Sequence, residues 1–132
     1  MARVLHFEIQ ADDVERAKAF YSAALDWSFE DWSGSVGGTP YWGIMTGPAE
    51  EPGINGGLQQ RPAPVPSGGH GTNAYVCTVG VEDYDETERR ILAAGGQVAL
   101  PKMALMGMAW QGYYLDTEGN TFGIHQPDPE AR

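Results

Sequence analysis

Apolar and polar residues alternate over positions 4–10. Leu5, Phe7 and Ile9 fall on one side and His6, Glu8 and Gln10 on the other, the period-two signature of a half-buried strand. The period then lengthens. Val14, Ala17, Phe20, Tyr21, Ala24 and Leu25 recur at helical spacing, which predicts a helix that lays one face on a sheet. Asp12, with Glu15 three residues later, reads as its N-cap. Strands are expected over 26–32, 40–46 and 54–60, separated by a Gly/Ser turn at 33–39 and a Pro/Glu-rich loop at 47–53.

Residues 61–72 are the one clear linker: alternating prolines keep it extended and glycines end it. Beyond it the pattern restarts. A strand over 74–81 precedes a second cap signature, Asp83 with Glu86, and a helical face of Tyr84, Thr87, Ile91 and Ala94 that Gly95-Gly96 stops. Strands follow over 97–100, 110–115 and 121–125. Between them lie a Met-rich loop or irregular hairpin at 103–109 and a turn at 116–120, where Gly119 and Asn120 can take positive φ. An offset of seventy residues superposes His6 on Val76, Ile9 on Val79, Asp13 on Asp83 and Ala24 on Ala94. The chain therefore reads as an internal repeat of βαβββ modules in one α+β domain: module one 3–60, linker 61–72, module two 73–126 and a tail 127–132.

Composition narrows the function classes. A length of 132 residues with 42% apolar content suits one domain with a real core. The net charge is −10 and the eight Lys and Arg are scattered, which argues against nucleic acid and against anionic membranes as partners. Nothing resembles a signal peptide or a membrane-spanning apolar run, so the cytoplasm is the expected location. Cys77 is the single cysteine, so no intramolecular disulfide forms. Mid-strand and with no basic neighbour, it is expected to be a buried, inert thiol. His70, in the glycine-rich linker, is expected to be solvent-exposed. Phosphate-binding glycine loops, nucleophile elbows and paired-cysteine zinc motifs are missing.

Three stretches carry a resemblance: 5–9 with 12–21, then 93–98, then 114–124, where Asp116-Thr117-Glu118-Gly119-Asn120 stands out. In this order and spacing they resemble the vicinal-oxygen-chelate superfamily of glyoxalases, bleomycin-resistance proteins and extradiol dioxygenases. The resemblance implies two βαβββ modules forming an eight-stranded cupped sheet around a cavity, and a homodimer. Enzymes of the superfamily use a divalent metal to chelate two oxygens of a substrate, whereas bleomycin-resistance proteins sequester a drug without metal. Fold alone does not choose between these.

The resemblance also implies where metal ligands would lie: on the first and last strand of each module. Those positions hold His6, Gly57, Val76 (Cys77 after a one-residue slip) and Gly123. Only His6 keeps a donor, so a full metal site is not expected and no cofactor is required. A rebuilt site from His6, Glu8 and His125 is the alternative, because two imidazoles and a carboxylate can form a facial triad. The leading expectation is a small organic molecule bound in the cavity. His6, Glu8 and His125 are the candidate acid–base groups, and Gln10, Trp42, Asn55, Gln59, Met103 and Trp110 the candidate ligand contacts. Met103, Met106 and Met108 suggest an adaptable lid. The activity would then be that of a metal-independent lyase or isomerase, or of a protein that sequesters a toxic compound. A metal-dependent glyoxalase- or dioxygenase-like enzyme is the alternative.

Overall fold

The computed structural model describes residues 3–36, 40–64 and 75–132. The chain divides into two compact units, Met1–Pro64 and Val65–Arg132. Most of the expected linker, together with His70, lies outside the described residues.

The first unit contains β1 (Phe7–Ala11), α1 (Val14–Leu25), β2 (Ser28–Asp31), a short 3-10 turn (Ser33–Val36), β3 (Trp42–Met45) and β4 (Gly56–Gln60). The second contains β5 (Thr78–Gly80), α2 (Tyr84–Ala93), β6 (Gln97–Leu105), β7 (Ala109–Leu115) and β8 (Thr121–Pro127). Each unit thus has the expected βαβββ order, and the eight strands of the described residues are divided into two four-stranded sheets. The strand orders are β1-β4-β3-β2 and β5-β8-β7-β6, so both sheets share one topology. In each, the first strand runs parallel to the last and the remaining pairs are antiparallel.

The helix ends follow from local chemistry, with one shift from expectation. Asp13, not Asp12, caps α1: its carboxylate accepts from the backbone N–H of Arg16. Asp83 caps α2 in the same way through Glu86 N–H, as the sequence repeat pairs Asp13 with Asp83. At the other end of α2, Gly96 N–H donates to Ile91 and Gly95 N–H to Leu92, with Gly95 at φ 100°, a two-bond left-handed stop. The α1 stop places Asp26 at φ 60°, where glycine is the commoner choice.

The helix-facing side of each sheet is apolar. In the first unit Ala11, Val14, Ala17, Ile44 and Leu58 form a buried cluster flanked by Phe7, Ile9, Trp27, Phe29 and Trp42. In the second, Tyr84, Ile91, Tyr114, Phe122 and Ile124 are buried. Strand β1 begins only at Phe7, and Leu5, expected on the apolar side, is exposed. Strand β6 continues through Leu105, so Met103 belongs to a strand and not to a loop. Met106 and Met108 lie exposed at the hairpin that follows. Cys77 is exposed just before β5, because the strand is short and starts one residue later; this corrects the expected buried thiol. The turn between β7 and β8 is tied by Asp116, whose carboxylate accepts from the backbone N–H groups of Glu118 and Asn120 and from the Asn120 amide. That accounts for the Asp…Asn spacing of the motif in physical terms.

Several strand glycines lie directly beneath aromatic side chains. A Cβ on Gly112 would stand 1.8 Å from the Tyr84 hydroxyl, one on Gly56 2.7 Å from the Phe7 ring and one on Gly43 2.4 Å from the Trp32 indole. The Tyr84 hydroxyl, seated over Gly112, hydrogen-bonds Tyr114 at 2.7 Å, and Tyr114 in turn donates to Glu88. Burial pushes the Tyr84 and Tyr114 phenols above their ordinary range, and both remain neutral. Gly112→Ala is expected to destabilise the protein by about 1–3 kcal/mol through overpacking. Because the clash is with the hydroxyl, the cost should shrink when Tyr84→Phe is already present. Urea denaturation of the two single variants and the double variant measures that coupling.

Candidate functional site

Alternation along β1 puts Glu8 and Gln10 on the face opposite the helix, and the cross-strand register extends that face. Glu8 stands opposite Gly57, Gly57 opposite Gly43, and Gln10 opposite Gln59. Gly57 has no side chain, and the Tyr41 phenol fills the space above it: a Cβ there would meet the hydroxyl at 1.8 Å. From that seat Tyr41 donates to Glu8 Oε2 at 2.9 Å and lies 2.9 Å from His6 Nε2. A phenol has a single proton, so with that proton given to Glu8 the bond to His6 is donated by the imidazole Nε2–H. His6, Tyr41 and Glu8 therefore form one directed hydrogen-bond chain. Tyr41 is buried, while His6 and Glu8 are exposed at its two ends. Burial first, then the Glu8 carboxylate, push the Tyr41 phenol up to about 12, so it remains a neutral donor.

The equivalent face of the second sheet carries Thr78 opposite Gly123, Tyr113 also opposite Gly123, and Gln111 opposite both His125 and Met103. His125 Nδ1 lies 2.7 Å from Gln111 Oε1, and Gln111 Nε2 lies 3.4 Å from Thr78 Oγ1. The registers also show that Thr78 is the counterpart of Glu8, and hence Val76 that of His6.

The residues singled out in the sequence are placed as follows. His6 and Glu8 come together through Tyr41. Gln10 and Gln59 lie side by side on the same face, and the Gln10 carbonyl accepts from Arg61. Asn55 accepts from the backbone N–H and hydroxyl of Thr46 and so ties the β3–β4 connection. Trp42 packs toward the apolar cluster with the Lys18 ammonium 4.4 Å from its ring centre, so of this adjacent pair Tyr41 and not Trp42 stands on the polar face. Trp110 is a parallel case. The Lys102 ammonium lies 4.6 Å from its ring centre and 5.1 Å from that of Tyr84, on the helix side, and its indole N–H donates to Asp128. Met103 lies on the Gln111 side. His125 belongs to the second unit, on Gln111.

The sequence pattern gives no sign of Gln111 or Thr78, and of the oppositely facing pair Tyr41 and Trp42 it is Trp42 that the sequence reading assigns to the cavity. A signal for Tyr41 was present: Trp42 and Ile44 are an apolar i, i+2 pair, which leaves Tyr41 and Gly43 for the other face.

The four metal positions implied by the superfamily resemblance do not fit an ion here. Gly57, Val76 and Gly123 offer no donor side chain. Tyr41 takes up the space over Gly57, and a Cβ on Gly123 would lie 2.9 Å from Thr78 Oγ1 and 3.0 Å from Gln111 Nε2. Among the described residues, no group of three or more His, Cys, Asp or Glu is arranged to hold a metal ion.

The raised Tyr41 pKa has a measurable consequence. The folded value of about 12 exceeds the ordinary 10.0, so the contribution of Tyr41 to stability is intact below pH ~10 and is lost as pH rises toward 12. Urea midpoints measured across this range should fall less steeply for Tyr41→Phe than for the unsubstituted protein. Phenolate absorbance should lose one late-titrating component in the same variant.

Comparison with known proteins agrees with this architecture. The glyoxalase-like domain family matches residues 6–125. The protein CFP32 of Mycobacterium tuberculosis and Mycobacterium bovis, named as a candidate glyoxylase, is 26% identical over 124 residues. That match covers 90% of this chain but 43% of CFP32, so the chain spans less than half the length of the curated relatives it matches. Among solved structures, hypothetical protein SA1046 from S. aureus superposes with a TM-score of 0.70 at 17% identity, covering 96% of this chain and 95% of that one. A variant of the fosfomycin resistance protein FosX from Listeria monocytogenes, complexed with Mn(II) and 1S,2S-dihydroxypropylphosphonic acid, superposes at 0.69. It is 17% identical, with 95% of this chain and 90% of that one covered. The repeated βαβββ topology and the family match across nearly the whole sequence together establish that this chain belongs to the glyoxalase-like domain family of the vicinal-oxygen-chelate superfamily.

Proposed function

We propose that this protein binds a small organic molecule on the polar sheet face that carries His6, Tyr41 and Glu8, and that it does so without a tightly held metal. The observation that carries the reading is the hydrogen-bond chain built over Gly57. Where the superfamily pattern implies a ligand side chain, this protein has a buried phenol linking an imidazole to a carboxylate. Both hydrogens of this chain point toward Glu8, so it fixes the carboxylate and leaves Nδ1 as the bare end of His6. Glu8 accepts a proton from one position of a bound molecule and returns it at another, Tyr41 keeps the carboxylate oriented, and the bare Nδ1 of His6 accepts a hydrogen bond from a ligand donor. The reaction class that fits is metal-independent proton transfer, as in a lyase or isomerase. A protein that only sequesters its ligand would use the same groups as fixed hydrogen-bond partners. The proposal carries with it a homodimeric, cytoplasmic protein.

A metal-dependent glyoxalase- or dioxygenase-like activity is the second reading, favoured by the Mn(II) bound in FosX. It requires a second protein ligand beside His6. Elemental analysis of purified, unchelated protein after exposure to Ni²⁺, Zn²⁺, Mn²⁺ and Fe²⁺ separates the two. Negligible retained metal is expected; about one ion per chain, lost in His6→Ala, would establish the second reading. Once a substrate is found by thermal-shift screening of small organic molecules, Glu8→Gln is expected to lower turnover by about 10²–10⁴-fold while leaving folding intact. Full activity of the double variant Glu8→Gln, His6→Ala would remove the proposed mechanism.

A further inference from the structure

Gln111 is 6% exposed, so its carboxamide makes its bonds inside the protein and not to bulk water. Its oxygen lies 2.7 Å from His125 Nδ1, and its NH₂ group faces the Thr78 hydroxyl at 3.4 Å. A carboxamide oxygen can only accept a hydrogen bond, so the ring nitrogen facing it carries the proton. A neutral His125 held this way has Nδ1–H directed at Gln111 and a bare lone pair on Nε2. Thr78 accepts from the amide nitrogen on the other side. Gly123 is part of the same construction, since a side chain there would run into both Thr78 and Gln111. His6 is held in the opposite sense: its Nε2–H is spent on Tyr41, which leaves Nδ1 bare.

We propose that Gln111 is a positioning residue that fixes His125 as the Nδ1–H tautomer, so that Nε2 serves as acceptor and general base toward a ligand presenting an O–H or N–H donor. When Nε2 takes that proton the ring becomes an imidazolium, the ligand is left as its conjugate base, and Gln111 continues to accept from Nδ1–H, so no heavy-atom rearrangement is needed. The inference deepens the proposed function by defining the ligand chemistry of the second unit's polar face. Its test uses no ligand, so its failure is distinct from failure of that proposal.

The test is a long-range ¹H–¹⁵N correlation spectrum of the full ¹⁵N-labelled chain at about pH 8, above the ordinary histidine range. The chain has three histidines, and His6→Gln and His70→Gln variants assign the signals. The expected result is a protonated Nδ1 and a bare Nε2 for His125. In Gln111→Leu, His125 should shift toward the Nε2–H form that unconstrained histidine prefers. Finding His125 as Nε2–H in the unsubstituted chain would overturn the proposal, and so would an unchanged Nδ1–H form in folded Gln111→Leu. If Gln111→Leu does not fold, Gln111→Glu replaces it: a carboxylate also accepts from Nδ1–H, so the tautomer should persist, and a switch to Nε2–H would refute the assignment.

Discussion

An aromatic side chain seated over a strand glycine is the contact on which most of this structure depends. Tyr41 over Gly57, Trp32 over Gly43, Phe7 over Gly56 and Tyr84 over Gly112 all use the missing Cβ as a seat. The arrangement does two things at once. It returns to the glycine positions the packing they lack, and it pins large rigid side chains whose polar atoms then have fixed locations. The two tyrosines differ in what they do from that seat. Tyr84 faces the helix side and joins Tyr114 and Glu88 in a buried network. Tyr41 faces away from the helix and joins His6 to Glu8.

The polar faces of the two sheets answer the same geometric problem with different chemistry. In each, a glycine on the last strand leaves a gap beside the first strand, and a neighbouring polar side chain enters it. A phenol enters in the first unit, between an imidazole and a carboxylate. A carboxamide enters in the second, between an imidazole and a hydroxyl. The repeat therefore preserves backbone register while the functional groups diverge, as expected when fold and site vary independently. Strand cations are also kept off these faces: among the described residues Lys102 is the only Lys or Arg within a strand, and it turns toward the rings of Tyr84 and Trp110 and the carboxylate of Asp85.

Much of the fold was legible because two periodicities alternate cleanly along the chain. The helical faces of α1 and α2, the Asp83 cap and the Gly95-Gly96 stop follow from local residue chemistry. The cap of α1 was misread by one residue because Asp12 and Asp13 are adjacent and either carboxylate satisfies a local rule; only the repeat distinguishes them. Strand β6 was cut short in the reading because Pro101 and the methionines look like a loop. In the structure it is an edge strand with irregular register, where a proline is tolerated. The site was less legible. His6 and Glu8 could be paired by alternation within one strand, but Tyr41 is more than thirty residues away in sequence and meets them only through the register of three strands.

The parallel pairing of first and last strand has a consequence for how the molecule is made. β1 cannot find its neighbour until β4 has been synthesised, and β5 must wait for β8. In each unit the earliest strand emerges from the ribosome with an unpaired edge, and the sheet closes only when the last segment arrives. Contacts of such long sequence separation make folding slow compared with a hairpin stack of the same size. During that interval the apolar rows of Phe7 and Ile9 are open to other chains, so the nascent protein is most prone to aggregation before each module's final strand is complete.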